Sequence, residues 1–312
     1  MKRVFSARRV RVAAVVSMLC VTAVLALGGG SAFAKAKHKP KPKPVPAKNL
    51  PVTPGSQYLA LGDSVTFGYM EPTVVPAPNY GNAASFMGYP EQLGAQLRLS
   101  VANAACPGET AASLVNASAP SNGCENSPSH NPSDNYRNNP LHVKYKGSQL
   151  AYALSYLHSH HNVRLVTLMI GANDFFLCEE TTADSCASPS EENAVAASVT
   201  KNVRTILSAI RNKAHYNGQL VMVNYYSLNY SSAATNAQSQ LLNKVQDAAA
   251  KPFGVKIADG YGELQAASVH SGGNTCTAGL LTQLSAGGCG IHPSYAGQAL
   301  LAQALEKTIT IG

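Results

Sequence analysis

The residues best equipped to do chemistry are a serine and a histidine at opposite ends of the chain. Ser64 closes the stretch Gln57-Tyr58-Leu59-Ala60-Leu61-Gly62-Asp63-Ser64, an apolar run that stops at a glycine, an acid and a hydroxyl. His292 lies in Cys289-Gly290-Ile291-His292-Pro293-Ser294. A serine is a weak nucleophile until a base takes its proton, so the two together would suit attack on an ester carbonyl. Such attack builds negative charge on oxygen, which needs donors already aimed at it. The backbone N–H of Ser64, the backbone N–H of Gly108 in Cys106-Pro107-Gly108-Glu109-Thr110, and the side-chain amide of Asn173 in Gly171-Ala172-Asn173-Asp174 could supply them. Glycine at 108 suits a backbone that must approach a substrate closely. Alone, Gly62-Asp63-Ser64 reads first as a turn in which Asp63 or Ser64 caps the next helix. The three other stretches tip the reading toward catalysis.

For these groups to cooperate they must meet, and the hydrophobic pattern says how. From about Ser56 to Ile311, strand-like apolar runs alternate with helix-period stretches and nothing repeats, which implies one α/β domain. Strands are expected at Tyr58–Leu61, Val101–Ala105, Val163–Ile170, Leu220–Tyr225 and Val255–Asp259. Helices are expected at Tyr89–Leu97, with Pro90 in its first turn, at Gly147–His160, Glu191–Ala214 and Ala237–Ala250, and from near Pro293 to the end. Strands separated by helices imply a parallel sheet with right-handed crossovers and helices on both faces. Its carboxyl edge would gather Ser64, Gly108 and Asn173, with His292 just before the last helix. The segment from Ala119 to Pro140 is dense in Asn, Ser and Pro and reads as a long surface loop, either functional or a lid.

Gly62-Asp63-Ser64, the glycine after the second strand, Gly171-x-Asn173-Asp174 and the C-terminal His292-Pro293 resemble, in order, the four blocks of the SGNH, or GDSL, serine hydrolases. Cys106-Pro107-Gly108-Glu109-Thr110, with six cysteines in a chain bearing a leader, is similar in particular to the secreted actinobacterial esterases and lipases of that family. The resemblance implies a three-layer α/β/α sandwich with a central parallel sheet, a serine ester hydrolase, and no metal or organic cofactor. It also implies Ser64 as nucleophile, His292 as base, and Ser64, Gly108 and Asn173 as the oxyanion hole. One departure stands out: the family's last block usually reads Asp-x-x-His, and Cys289 holds the aspartate's place. A Ser64–His292 dyad is therefore expected, with the carbonyl oxygen of Cys289 or Gly290 accepting the imidazole N–H and Asp259 as the rival orienter.

The ends are of another kind. Residues 1–34 carry a basic head, an uncharged run from Val12 to Leu27 and Ala32-Phe33-Ala34, the layout of a cleaved secretory signal. Residues 35–55 alternate lysine with proline and should form a stiff, solvated linker, either a plain spacer or a tether to anionic wall polymer or lipid headgroups. The domain is placed at 56–312. The net charge of +8 belongs to these ends: five basic residues lie in the leader and six in the linker, leaving 13 Lys+Arg against 16 Asp+Glu. The charge therefore gives no reason to expect nucleic-acid binding.

Beyond the leader six cysteines remain: Cys106, Cys124, Cys178, Cys186, Cys276 and Cys289. An even number in an exported chain points to disulfides, and six allow 15 pairings. Joining sequence neighbours, Cys106 with Cys124, Cys178 with Cys186 and Cys276 with Cys289, is the simplest. No Cys-x-x-Cys or Cys-His spacing suggests a metal site. Asp63 reads as a structural partner beside the nucleophile and Asp174 as a brace of its own turn. His158, His160 and His161 suit a helix C-terminus. Tyr225, Tyr226 and Tyr230 could line an acyl pocket or simply pack.

The expected function is a secreted, monomeric ester hydrolase acting on small-molecule or lipid acyl esters. The alternatives are a polysaccharide or cell-wall acetylesterase of the same fold and a catalytically silent wall-binding relative.

Overall fold

The structure, a computed structural model, describes residues 48–128 and 135–312. The expected signal (1–34) and most of the expected linker (35–47) lie outside the described residues, as do six residues of the 119–140 loop. Five strands form one parallel sheet in the order β2-β1-β3-β4-β5: β1 (Gln57–Gly62), β2 (Ser100–Asn103), β3 (Val163–Met169), β4 (Gln219–Val223) and β5 (Lys256–Ala258). Every residue of β4 and all but one of β1 and β3 are buried, as a parallel sheet covered on both faces requires. One face carries α2 (Tyr89–Leu97), α8 (Gly260–Ser268) and α9 (Tyr295–Thr308), which pack on one another and on β2, β4 and β5. Across the sheet lie α3 (Ala111–Val115), α4 (Gln149–Ser159), α5 (Ala172–Thr181), α6 (Pro189–Ser208) and α7 (Ala233–Ala250). The result is the expected three-layer α/β/α sandwich. Among the described residues no helix is long and apolar enough to cross a membrane.

The order β2-β1-β3 reverses direction beside β1, so the short α1 (Ser64–Phe67) that follows β1 stands at the switch point where an open α/β sheet leaves a crevice. Two features depart from the sequence reading. Pro293, expected to open the last helix, ends β7 (Cys289–Pro293), which pairs antiparallel with β6 (Leu281–Gln283); the Ser294 hydroxyl instead caps α9 by accepting from Gly297 N. The helix expected at Glu191–Ala214 ends as an α-helix at Ser208 and finishes in a π turn, Ala209–Lys213, around the fully buried Arg211.

The fold also begins earlier than Ser56. Val52 is 1% exposed, bridges Ile311 and exchanges backbone hydrogen bonds with Thr310 and Gly312, while Gln219 donates to the Leu50 carbonyl at 3.0 Å. Residues 48–55, assigned above to the linker, thus close the end of the core. Burying a valine stabilises by about 1.5–3 kcal/mol. A chain starting at Ser56 is expected to melt several degrees below one starting at Lys48, at about 2–4 °C per kcal/mol for a domain of this size. Equal melting temperatures by calorimetry would show that the segment adds nothing.

Candidate functional site

Ser64 is the first residue of α1, and its position is set from both sides. Asp63, 1% exposed, caps that helix by accepting from Val65 N at 3.0 Å, and its other oxygen accepts a short hydrogen bond from the Tyr225 hydroxyl. Burial lifts the Asp63 carboxyl to about 6 against these hydrogen bonds. Asp63 thus braces the turn that carries Ser64.

The β6–β7 hairpin brings His292 across the molecule, its Nε2 2.9 Å from Ser64 Oγ. Its Nδ1 does not meet the carbonyl of Cys289 or Gly290. It lies 2.7 Å from Glu71 Oε1, a carboxylate that sequence reasoning missed. The same oxygen accepts from Ile291 N at 2.8 Å, and Oε2 accepts from the Thr282 hydroxyl at 2.6 Å. Burial pushes the Glu71 carboxyl up, but the hydrogen bond to His292, its charge and the Thr282 hydroxyl outweigh that and hold it at about 2. An ionised carboxylate only accepts, so Nδ1 carries the hydrogen and Nε2 is left to accept from Ser64. Gly290 makes this possible by having no side chain: a Cβ there would stand 2.1 Å from Glu71 Oε1. Cys289 keeps its place in the β6–β7 ladder opposite Gln283. Asp259, the other candidate, caps α8 by accepting from Gly262 N at 2.9 Å.

Further contacts hold the imidazole. The Tyr226 hydroxyl donates to the Ile291 carbonyl at 2.6 Å, so the peptide before His292 is gripped by Tyr226 on one side and Glu71 on the other. The Tyr69 ring stands edge-on to the imidazole with centroids 4.9 Å apart.

Gly108 and Asn173 come to the same place. Gly108 has φ +82, and a Cβ on it would be 2.3 Å from the Asn122 carbonyl oxygen, so this turn admits only glycine. Asn173 lies in the first turn of α5, 6% exposed, and its Oδ1 accepts from Asn122 Nδ2 at 3.3 Å, which turns its own amide N–H groups away from Asn122. Asp174 braces more than its own turn: Oδ2 accepts from Ala111 N at 2.8 Å, tying α5 to the start of α3.

Two cavities meet at Ser64. One, of about 110 Å³, runs between α5 and α7 and is lined by Val65, Phe175, Phe176, Leu228 and Leu242, with Tyr225 and Tyr226 in its wall. Tyr230 is instead tied to the Tyr261 carbonyl at 2.7 Å. The second, of about 350 Å³, is more polar and includes Tyr69, Gly108, Asn122, Tyr136 and Asn173. Ser64 and His292 border both. Three disulfides frame the site: Cys106–Cys124 closes the Gly108 loop, Cys178–Cys186 the end of α5, and Cys276–Cys289 the root of β7. His160, from the histidine group, stacks on Tyr156 at 3.9 Å at the end of α4, away from these groups.

The arrangement brings a serine hydroxyl and an imidazole paired with a carboxylate to one cavity that Gly108 and Asn173 also line, a set of groups suited to acyl transfer. A family model described as the GDSL-like lipase/acylhydrolase family matches residues 60–300. Among solved structures the chain is similar to phospholipase A1 from Streptomyces albidoflavus NA297, with 19% identity over 81% of this chain and 99% of that one and a TM-score of 0.52. It is also similar to the acetylxylan esterase Axe2 from Geobacillus stearothermophilus in a catalytic-mutant form, with 15% identity over 83% and 95% of the two chains and a TM-score of 0.49. The likeness to the phospholipase is one of fold. No curated protein sequence matches the chain.

Proposed function

The chain belongs to the GDSL-like lipase/acylhydrolase family and is a carboxylic ester hydrolase, and from that premise we propose that it is a secreted enzyme cleaving acyl esters of medium to long chain through an acyl-Ser64 intermediate. The observation that carries the substrate class is the apolar cavity opening on Ser64, walled by Phe175, Phe176, Leu228 and Leu242. An acetyl group would leave such a cavity empty, whereas each buried methylene of a longer chain contributes about 0.8 kcal/mol. Three disulfides support an oxidising, extracellular setting, in keeping with the leader-like residues 1–34.

In the mechanism His292 Nε2 takes the Ser64 proton as Oγ attacks the ester carbonyl, and the carbonyl oxygen becomes an oxyanion received by the N–H groups of Ser64, Gly108 and Asn173. The imidazolium, paired with Glu71, then passes its proton to the departing alcohol oxygen. Water enters, gives a proton to Nε2 and attacks the acyl carbon; collapse returns that proton to Ser64 Oγ and frees the acid. The presence of Glu71 removes the ground for a silent relative, which rested on the missing aspartate.

Hydrolysis of p-nitrophenyl esters from acetate to palmitate tests the substrate class. kcat/KM is expected to rise from acetate to about octanoate, and Leu242→Trp, which fills the cavity, should move the optimum back toward acetate. Activity confined to acetate and acetylated xylan, untouched by Leu242→Trp, would replace this reading with the polysaccharide acetylesterase.

A further inference from the structure

Ser64 follows β1 and Gly108 follows β2, so the distance between their N–H groups depends on how these neighbouring strands part at their carboxyl ends. They part just there. The ladder runs regularly to Ala60 opposite Asn103, continues through Ala104 N to the Ala60 carbonyl at 2.9 Å, and reaches its last bond, Cys106 N to the Gly62 carbonyl, at 3.2 Å. The Ala104 carbonyl has turned to the Tyr145 hydroxyl, 2.9 Å away. Into the gap comes Gln149, the first residue of α4, 0% exposed. Its Oε1 accepts from Gly62 N at 3.0 Å, taking the place of the Ala104 carbonyl, and its Nε2 donates to the Gly62 carbonyl at 2.8 Å beside the bond from Cys106 N. The second Nε2 hydrogen goes to Glu109 Oε2 at 2.6 Å. Glu109 directly follows Gly108, is 0% exposed and takes a short hydrogen bond from Ser113 on its other oxygen.

We propose that Gln149 and Glu109 are positioning residues that set the spacing of the oxyanion donors, with Gln149 fixing Gly62, two residues before Ser64, and at the same time holding the residue next to Gly108. Both Nε2 hydrogens and the Oε1 of the Gln149 amide are thereby engaged. Burial, then the nearby Glu125, raise the Glu109 carboxyl well above its ordinary value, so a neutral glutamine at 109 can reproduce its contacts. It would accept from Gln149 through its oxygen and donate to Ser113 through its nitrogen.

The inference rests on the ester-hydrolase mechanism above, and the test separates the two. The disulfide-bonded protein, its Gln149→Ala, Gln149→Glu and Glu109→Gln variants, and Glu109→Ala are compared on p-nitrophenyl butyrate, with kcat normalised to sites titrated by a fluorophosphonate. Gln149→Glu keeps an acceptor for Gly62 N and loses both donors, and serves if Gln149→Ala does not fold. A misplacement of the donors by a fraction of an ångström should lower kcat about 10- to 100-fold with KM within threefold. Affinity for a phenylboronic acid, whose tetrahedral adduct on Ser64 mimics the oxyanion, should weaken by the same factor. Glu109→Gln should stay within threefold of the parent, while Glu109→Ala should follow Gln149→Ala. A lower melting temperature with unchanged kcat and boronate affinity would overturn the proposal and leave the pair a purely structural tie. A parent protein that neither turns over the ester nor binds the boronate would overturn the mechanism itself.

Discussion

Ser64→Ala is expected to lower kcat on any ester by about 10⁴- to 10⁶-fold, the scale seen when the nucleophile of a serine-histidine pair is removed. Its hydroxyl is the one that His292 Nε2 reaches, at 2.9 Å. Ser239, the other serine bordering the apolar cavity, spends its hydroxyl on the Tyr226 and Thr235 carbonyls. His292→Ala should cost nearly as much, and the double variant little more than either single one, because base and nucleophile act as a unit. The fold should survive, since Asp63 and its bonds to Val65 and Tyr225 are untouched. Turnover of p-nitrophenyl butyrate and labelling by a fluorophosphonate read the result together. A Ser64→Ala protein keeping a tenth of the parent's rate would end the acyl-enzyme reading.

Glu71→Gln is expected to lower kcat by about 10²- to 10⁴-fold with KM little changed, because the carboxylate is worth most when the imidazolium forms. Glutamine has nearly the same shape. Its oxygen can face His292 Nδ1 and Ile291 N, and its nitrogen can donate to the Thr282 hydroxyl, so the loss reports charge more than geometry. Glu71→Ala should fall further, since β7 loses its grip on Ile291 N as well. The carboxyl, held at about 2, lies below its ordinary value of 4.5, so its stabilisation is fully present above that ordinary value and is lost as pH falls through about 2. The melting-temperature advantage of the parent over Glu71→Gln should therefore be constant at neutral pH and shrink below about pH 4.5. Activity of Glu71→Gln within threefold of the parent would mean that another group orients His292.

How far these residues could be found without coordinates varies with the range of the signal. Gly62-Asp63-Ser64, the Gly108 turn and Gly171-Ala172-Asn173 each sit where an apolar run breaks at a glycine, so each announces a strand end, and a parallel sheet collects strand ends on one edge. The pairing of neighbouring cysteines was likewise the simplest choice, because each pair spans a short loop, 18, 8 and 13 residues apart. Glu71 offered nothing comparable. It lies in the loop leaving α1, with no periodicity and no motif around it, 221 positions from its histidine. Gln149 falls in the first turn of the helix expected at Gly147–His160, where its type marks no special role.

By itself, then, the sequence determined the layer architecture, which follows from hydrophobic period, and it pointed to Ser64, His292 and Gly108 as the groups proposed to act on the ester, which follows from their chemistry and from the order of the four motifs. Only the tertiary structure decided which carboxylate faces His292, why Gly290 must lack a side chain, that Pro293 ends a strand, and that Val52 belongs to the core. Those are matters of which distant surfaces pack together, and a hydrogen bond between residues far apart in the chain leaves no mark on the local pattern of either one.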